Sequence, residues 1–357
     1  MTNYLYNSKL TVITLLFLLL LVSGCKKELT FTINFKSNGK IYPADQVTIS
    51  LYGAKDINGN SKFTTDKDGK FTATFNEKHN YITASIYLEN SNFSYRKNGC
   101  DTEHTPVARE NLYIDYNKSY HDITLTFDVP EGELWHYLQR AAGAFDFSKT
   151  TFKPKLIPIC PGDANLFRPK TGWITIKLNR DFLRDVISHE YGHALMFWAV
   201  GYDISSKDCQ THKIKEISNP YCAWIEGWAN FYSVYSRYYY DHKITPTFRG
   251  DDLEDYFSPI IGKDGFKDEG RVAAGLWDLF DTPNDCNHTG KPTHGDKTLC
   301  DHNGDNTISV EWMINMMQFL PKESVRTFYK KLRSTFNNGH MEKDGDEIMG
   351  YNYLIIN

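Results

Sequence analysis

The sequence predicts a multidomain fold: an all-β sandwich on the N-terminal side, followed by an α+β domain. From residue 29 to about 128, apolar residues alternate with period two in short runs parted by polar turns. After Val129-Pro130 they recur at helical spacing instead. At 357 residues the chain is long enough for two cores. The expected boundaries are 1–25 for a targeting segment, 26–129 for the sandwich and 130–357 for the second domain.

In the targeting segment Lys9 supplies a positive flank, and Leu10 to Val22 is an apolar run of 13 residues, short for a membrane span. Val22-Ser23-Gly24-Cys25 then resembles a bacterial lipobox. The resemblance implies a signal peptide cut before Cys25, lipid attached to its thiol, and a lipoprotein held at a membrane of the bacterial cell envelope. An uncleaved signal anchor or an ordinary secretory peptide is the alternative.

The strands follow. Leu29 to Phe35, Val47 to Leu51 and Lys70 to Phe75 alternate apolar and polar residues, and Tyr81 to Leu88 and Ile123 to Phe127 add further strands. Asn58-Gly59, Asp66-Lys67-Asp68-Gly69 and Asn98-Gly99 carry turn chemistry. Thr64 to Phe71 resembles the hairpin of carboxypeptidase-regulatory-like and transthyretin-like domains. Asp66 with Asp68 admits a calcium reading, but a hairpin turn asks less of the sequence.

In the second domain, Glu131 to Phe145 places Leu134, Tyr137, Leu138 and Ala141 on one helical face. Lys155 to Cys160 and Trp173 to Leu178 read as extended. Asn179 is an N-cap candidate for a helix over Asp181 to Val200, which Gly201 stops. Asn219-Pro220 opens a long apolar helix to about Tyr240, and Glu269 to Asp281 reads as another helix. There Glu269 and Asp278 either support a site or are ordinary surface carboxylates.

The chemistry sits in His189-Glu190-Tyr191-Gly192-His193. Helical residues four apart share a face, roughly 6 Å apart, so two imidazoles can hold one Zn²⁺ with Glu190 in reach of a water. A catalytic zinc needs a third protein ligand from another element. Glu226, set among Trp224, Ile225 and Trp228, is an acid in a costly apolar place unless something pairs with it. The runs HEYGH and EGWA together resemble the gluzincins, zinc metallopeptidases with a HExxH helix and a second, Glu-bearing helix. The resemblance implies a zincin-like catalytic domain. It also implies Zn²⁺ on His189, His193 and Glu226, and Glu190 as general base toward a protein or peptide substrate, glycosylated or not. Asn230 matches a position where thermolysin-like members keep an Asp that orients a zinc-bound imidazole. The Asn keeps an acceptor oxygen but loses the charge, so the implied supporting role is weaker. The 33 positions from His193 to Glu226 exceed the spacing in thermolysin itself.

Six cysteines besides Cys25, an even number in an exported chain, suggest disulfides. Short loops favour Cys209 with Cys222 and Cys286 with Cys300, which leaves Cys100 for Cys160. Asp301 to Ser309 sets oxygen side chains at alternating positions, as an EF-hand loop does. Glycine is missing at the sixth position and Trp312 holds the twelfth, so structural Ca²⁺ competes with a polar turn capping a helix from Ser309. A net charge of −4 without a basic, aromatic-interleaved stripe argues against a nucleic-acid partner. Two other functions stay open. One is a non-catalytic surface lipoprotein that binds glycan or protein; the other is a zinc hydrolase of a non-peptide amide or ester.

Overall fold

The computed structural model describes residues 26–52, 56, 58–76, 81–114, 122–178, 181–200, 209, 214–253, 265–280, 308–318 and 325–335. Cys25, the run 10–22, Asn179, Gly201, the pair Cys286 and Cys300, and 301–307 of the EF-hand-like run lie outside these. The fold is multidomain and mixed, an N-terminal β-rich region followed by an α+β region. The described residues form two compact units, one from those up to Asn90 with His104–His136, the other from Ser91–Glu103 with those from Tyr137 onward.

In the first unit β1 (Lys26–Ser37) pairs antiparallel with β2 (Lys40–Pro43) and β5 (Lys70–Asn76), and parallel with β9 (Asp122–Asp128). A second sheet runs β4 (Lys62–Thr64), β3 (Thr48–Tyr52), β6 (Tyr81–Tyr87), β8 (Ala108–Tyr113). Alternation decides which residues are inside: Leu29, Phe31, Ile33 and Phe35 of β1 and Ile82, Ala84 and Ile86 of β6 are all buried. Phe63 of one sheet stacks on Phe71 of the other with ring centroids 5.1 Å apart, so the sheets face each other through aromatic rings. The Asp66–Gly69 run is a hairpin turn. Asp66 Oδ1 accepts the backbone N–H groups of Asp68 and Lys70 at 2.9 and 2.8 Å. Gly69 has φ +75°, and a Cβ there would run into the Ile33 carbonyl oxygen.

The second unit holds a sheet of order β11 (Leu166–Arg168), β12 (Trp173–Ile176), β10 (Ile157–Pro161), β7 (Phe93–Tyr95). β10 runs parallel to β7 and β12, and β11 is antiparallel at the edge. The helices are α1 (Gly132–Gly143), whose residues up to His136 belong to the first unit, α2 (Leu183–Val200), α3 (Pro220–Tyr238), α4 (Glu269–Phe280), α5 (Val310–Met317) and α6 (Val325–Thr335). Two expected disulfides form, Cys100–Cys160 and Cys209–Cys222, with Cα atoms 5.3 and 5.5 Å apart. Asn219 caps α3, its Oδ1 accepting the Cys222 N–H at 2.8 Å, and Ser309 caps α5 by accepting the Trp312 N–H.

α2 and α3 run antiparallel. Ser233 Oγ donates to the Asp185 carbonyl at 2.9 Å, and seven residues along α2 the Gly192 carbonyl accepts Trp228 Nε1–H at 3.0 Å. Glycines inside the two motifs allow close packing, Gly192 of α2 against α3 and Gly227 of α3 against α4. A Cβ on Gly192 would stand 3.1 Å from Ala229 Cα, and one on Gly227 2.5 Å from Val272 Cγ1 of α4.

Candidate metal centre

The crossing of α2 and α3 brings one oxygen and two nitrogens together. His189 Nε2 lies 3.1 Å from His193 Nε2 and 3.1 Å from Glu226 Oε2, and His193 Nε2 lies 3.3 Å from the same oxygen. All three side chains are buried. Burial pushes the His189 imidazole down to about 4, against its hydrogen bond to Glu226, so it is neutral at pH 7 and the contact is not an ion pair. Burial also opposes ionisation of Glu226. The charge of His193 and hydrogen bonds from both imidazoles outweigh it and hold the carboxyl well below its usual value.

Glu190, on the same helix, points to different chemistry. Burial pushes its carboxyl up to about 7, although the positive field of His193 and a 2.6 Å hydrogen bond from the Phe167 backbone N–H work the other way. A carboxyl titrating near neutral pH is matched to taking and returning a proton. Its backbone donor comes from β11, a three-residue strand too short for period-two alternation to reveal.

These residues line a cavity of about 490 Å³, together with Asn230, Phe248, Arg249 and Glu269. Asn230 is buried, and its Oδ1 makes no hydrogen bond among the described residues; neither does Nδ1 of His189. Glu269, in the first turn of α4, is buried in the cavity wall and is not a surface carboxylate. Asp278 is half-buried and does not line the cavity. The Sγ atoms of Cys209 and Cys222 come within 4.8 Å of the Glu226 carboxylate. Bonded to each other, they pin α3 one turn before the acid.

The hairpin on one wall is not among the elements expected from the sequence. β13 (Thr247–Phe248) and β14 (Asp251–Asp252) are joined by Arg249-Gly250, at φ +49° and +92°. The Phe248 ring stacks on the His189 imidazole with centroids 5.6 Å apart and planes at 24°. Buried Asp185, one turn before His189, fastens the hairpin. Its Oδ2 accepts the Arg249 N–H at 3.2 Å, and its Oδ1 lies 3.6 Å from Arg237, whose guanidinium also donates to the Thr247 carbonyl. Arg-Gly is a weaker hairpin signal than Asn-Gly, and two-residue strands leave no periodicity to read.

Residues 159–343 match the Mycolysin C-terminal domain. Among curated proteins no match is found. A solved 9R-lipoxygenase from Cyanothece PCC8801 aligns at 15% identity over 29% of this chain and 16% of its own, with a TM-score of 0.18. The chain thus spans under a fifth of that protein's length. The family match takes in His189, Glu190, His193 and Glu226 and covers more than half of the sequence: the chain belongs to the Mycolysin C-terminal domain family, which relates it to the metallopeptidases.

Proposed function

We propose that the protein hydrolyses peptide bonds as a gluzincin-type zinc metallopeptidase, with His189, His193 and Glu226 holding Zn²⁺ and Glu190 as general base. The triangle of buried donor atoms, with edges of 3.1, 3.1 and 3.3 Å, carries this reading. Zinc ligands at tetrahedral positions, each about 2.05 Å from the ion, stand about 3.3 Å from one another. The donor chemistry fits as well: two imidazole nitrogens, that of His189 neutral, and one ionised carboxylate form a set that zinc takes and that leaves a coordination position open. When bound, the ion supplies Lewis acidity, which acidifies water and polarises a carbonyl. Glu190 takes the proton from the attacking water and delivers it to the leaving amine. The Phe167 N–H fixes its carboxylate for that task. Asn230 supports the centre from the cavity wall.

The lipobox-like Val22–Cys25 supports export and lipid anchoring at Cys25, in the bacterial cell envelope, and the two disulfides suit an oxidising compartment. The 26–129 sandwich then acts as a spacer from the membrane; its Asp66–Gly69 hairpin supports the likeness to carboxypeptidase-regulatory-like domains. Residues 130–357 form the catalytic domain.

The test is to purify residues 26–357, measure bound metal, and compare cleavage of a peptide library by wild type and Glu190→Gln. About one zinc per chain is expected in both, with cleavage lower in the variant by about 10²- to 10⁴-fold. Equal cleavage by the two proteins, or a wild type without zinc, refutes the reading.

A further inference from the structure

We propose that Arg249 is the specificity-determining residue of this site, and that its guanidinium receives a carboxylate of the substrate beside the bond that is cut. The proposal rests on the peptidase reading above. Among the described residues lining the cavity, Asp163, Glu190, Glu226 and Glu269 are acids and Arg249 is the sole permanent cation. An anionic group entering this cavity beside the metal position therefore meets one permanently positive side chain, Arg249.

The guanidinium is available. Among the described residues it makes no ion pair and no hydrogen bond, and its contact is with the neighbouring Phe248 ring, 5.1 Å from the centroid. The same ring stacks on His189, so the cation stands one aromatic ring away from the metal-binding imidazoles. The backbone beneath it is strained for its residue type. Arg249 has φ +49°, a left-handed position that in two-residue hairpin turns favours Asn, Asp or Gly. A long cationic side chain held there against local preference, by a backbone bond to buried Asp185, is what a binding role explains and packing does not. A guanidinium also presents paired donors that match a carboxylate edge to edge.

The carboxylate has two sources, the free C-terminus of a peptide or an Asp or Glu side chain. The probes are matched fluorescent peptides: free acid against C-terminal amide, and Asp or Glu against Asn or Gln at each position. Their affinity is measured for zinc-loaded Glu190→Gln, which binds without cutting, and for Glu190→Gln with Arg249→Asn. Bound zinc and Tm are recorded on the same samples. The parent is expected to hold one class of carboxylate peptide about ten- to a hundredfold tighter than its neutral partner. Arg249→Asn is expected to abolish that preference at unchanged zinc content and with an equal or higher Tm, since Asn suits the turn. A merely structural arginine would instead lower Tm. A preference for the free acid assigns the chain end, and a preference for Asp or Glu assigns the side chain. Zinc-loaded protein with no preference, or a preference that survives Arg249→Asn, overturns the assignment. Protein that holds no zinc overturns the peptidase reading and this proposal with it.

Discussion

The two units bury different kinds of polar group. The first closes around alternating apolar residues, and among its described residues the buried polar side chains apart from Glu131 are hydroxyls: Ser37, Ser50, Thr65 and Ser85. The second buries ionisable groups, among them Asp185, His189, Glu190, His193, Glu226, Asp268, Glu269, Arg271 and Glu311. Burying an ionisable group costs several kcal/mol unless it is paired, so a fold tolerates many of them only where partners, the proposed metal among them, offset the cost. The difference separates a unit whose sequence serves its own core from one whose core is arranged around chemistry. Each unit also depends on a glycine, and the two glycines do different things. Gly69 lets a turn close in the left-handed region; Gly192 lets two helices approach so that Glu226 reaches the histidines.

Exchanging those roles is the strongest way to break the comparison. Gly69→Ala adds a left-handed penalty and a collision with the Ile33 carbonyl. We expect a loss of about 3 kcal/mol in the first unit. Zinc per folded chain should not change. Gly192→Leu should do the reverse: the side chain meets Ala229 and Tyr232, the helices part, and zinc affinity falls at least about tenfold, as when groups supporting a metal ligand are lost. Denaturant melts and competitive zinc titrations on both variants check this. Equal zinc affinity in Gly192→Leu would show that the helix spacing does not set the site.

The disulfides sharpen the same contrast within the second unit. Cys100–Cys160 spans 60 residues and Cys209–Cys222 spans 13. Loop-closure entropy alone gives about 4 and about 3 kcal/mol respectively. The longer loop should therefore cost more when both of its cysteines become Ala. Yet Cys222 sits one turn before Glu226, so the shorter loop should be the one whose removal weakens zinc binding. Melting temperatures and zinc titrations of the two double variants separate stability from site geometry.

What the sequence disclosed follows the same division. A helix fixes the relation of His189 to His193 within the sequence, and an acid amid tryptophans is conspicuous, so the cluster of three donor side chains was legible despite a 33-residue gap. Alternation showed which face of β1 is buried. It could not show that β9 pairs with β1 in parallel, because period two names a face and not a neighbour. Phe167, Phe248 and Arg249 were invisible for a further reason. They reach the site on strands of two or three residues or, for Arg249, on the turn after one, held by backbone bonds from Phe167 to Glu190 and from Arg249 to Asp185 that exist only once α2 is in place.

The smallest expected effect tests the first unit's scarcity of buried charge at a half-buried acid, an exception beside buried Glu131. Asp45 is half-buried, its Oδ1 has no hydrogen-bond partner among the described residues, and burial, then the charges of Asp66 and Asp68, push its carboxyl up to about 6 from 3.8. The folded unit therefore holds this proton more tightly than the unfolded chain, and stability attributable to Asp45 falls as pH rises from 3.8 through 6. Asn imitates the protonated form and removes that loss. Asp45→Asn should raise the first unit's denaturation midpoint at pH 7.5 and leave it unchanged below pH 3.8. Partial solvent exposure screens the three acids from one another and keeps the gain modest. A gain of the same size at both pH values would assign the benefit to local turn preference, and the exception would then be conformational, not electrostatic.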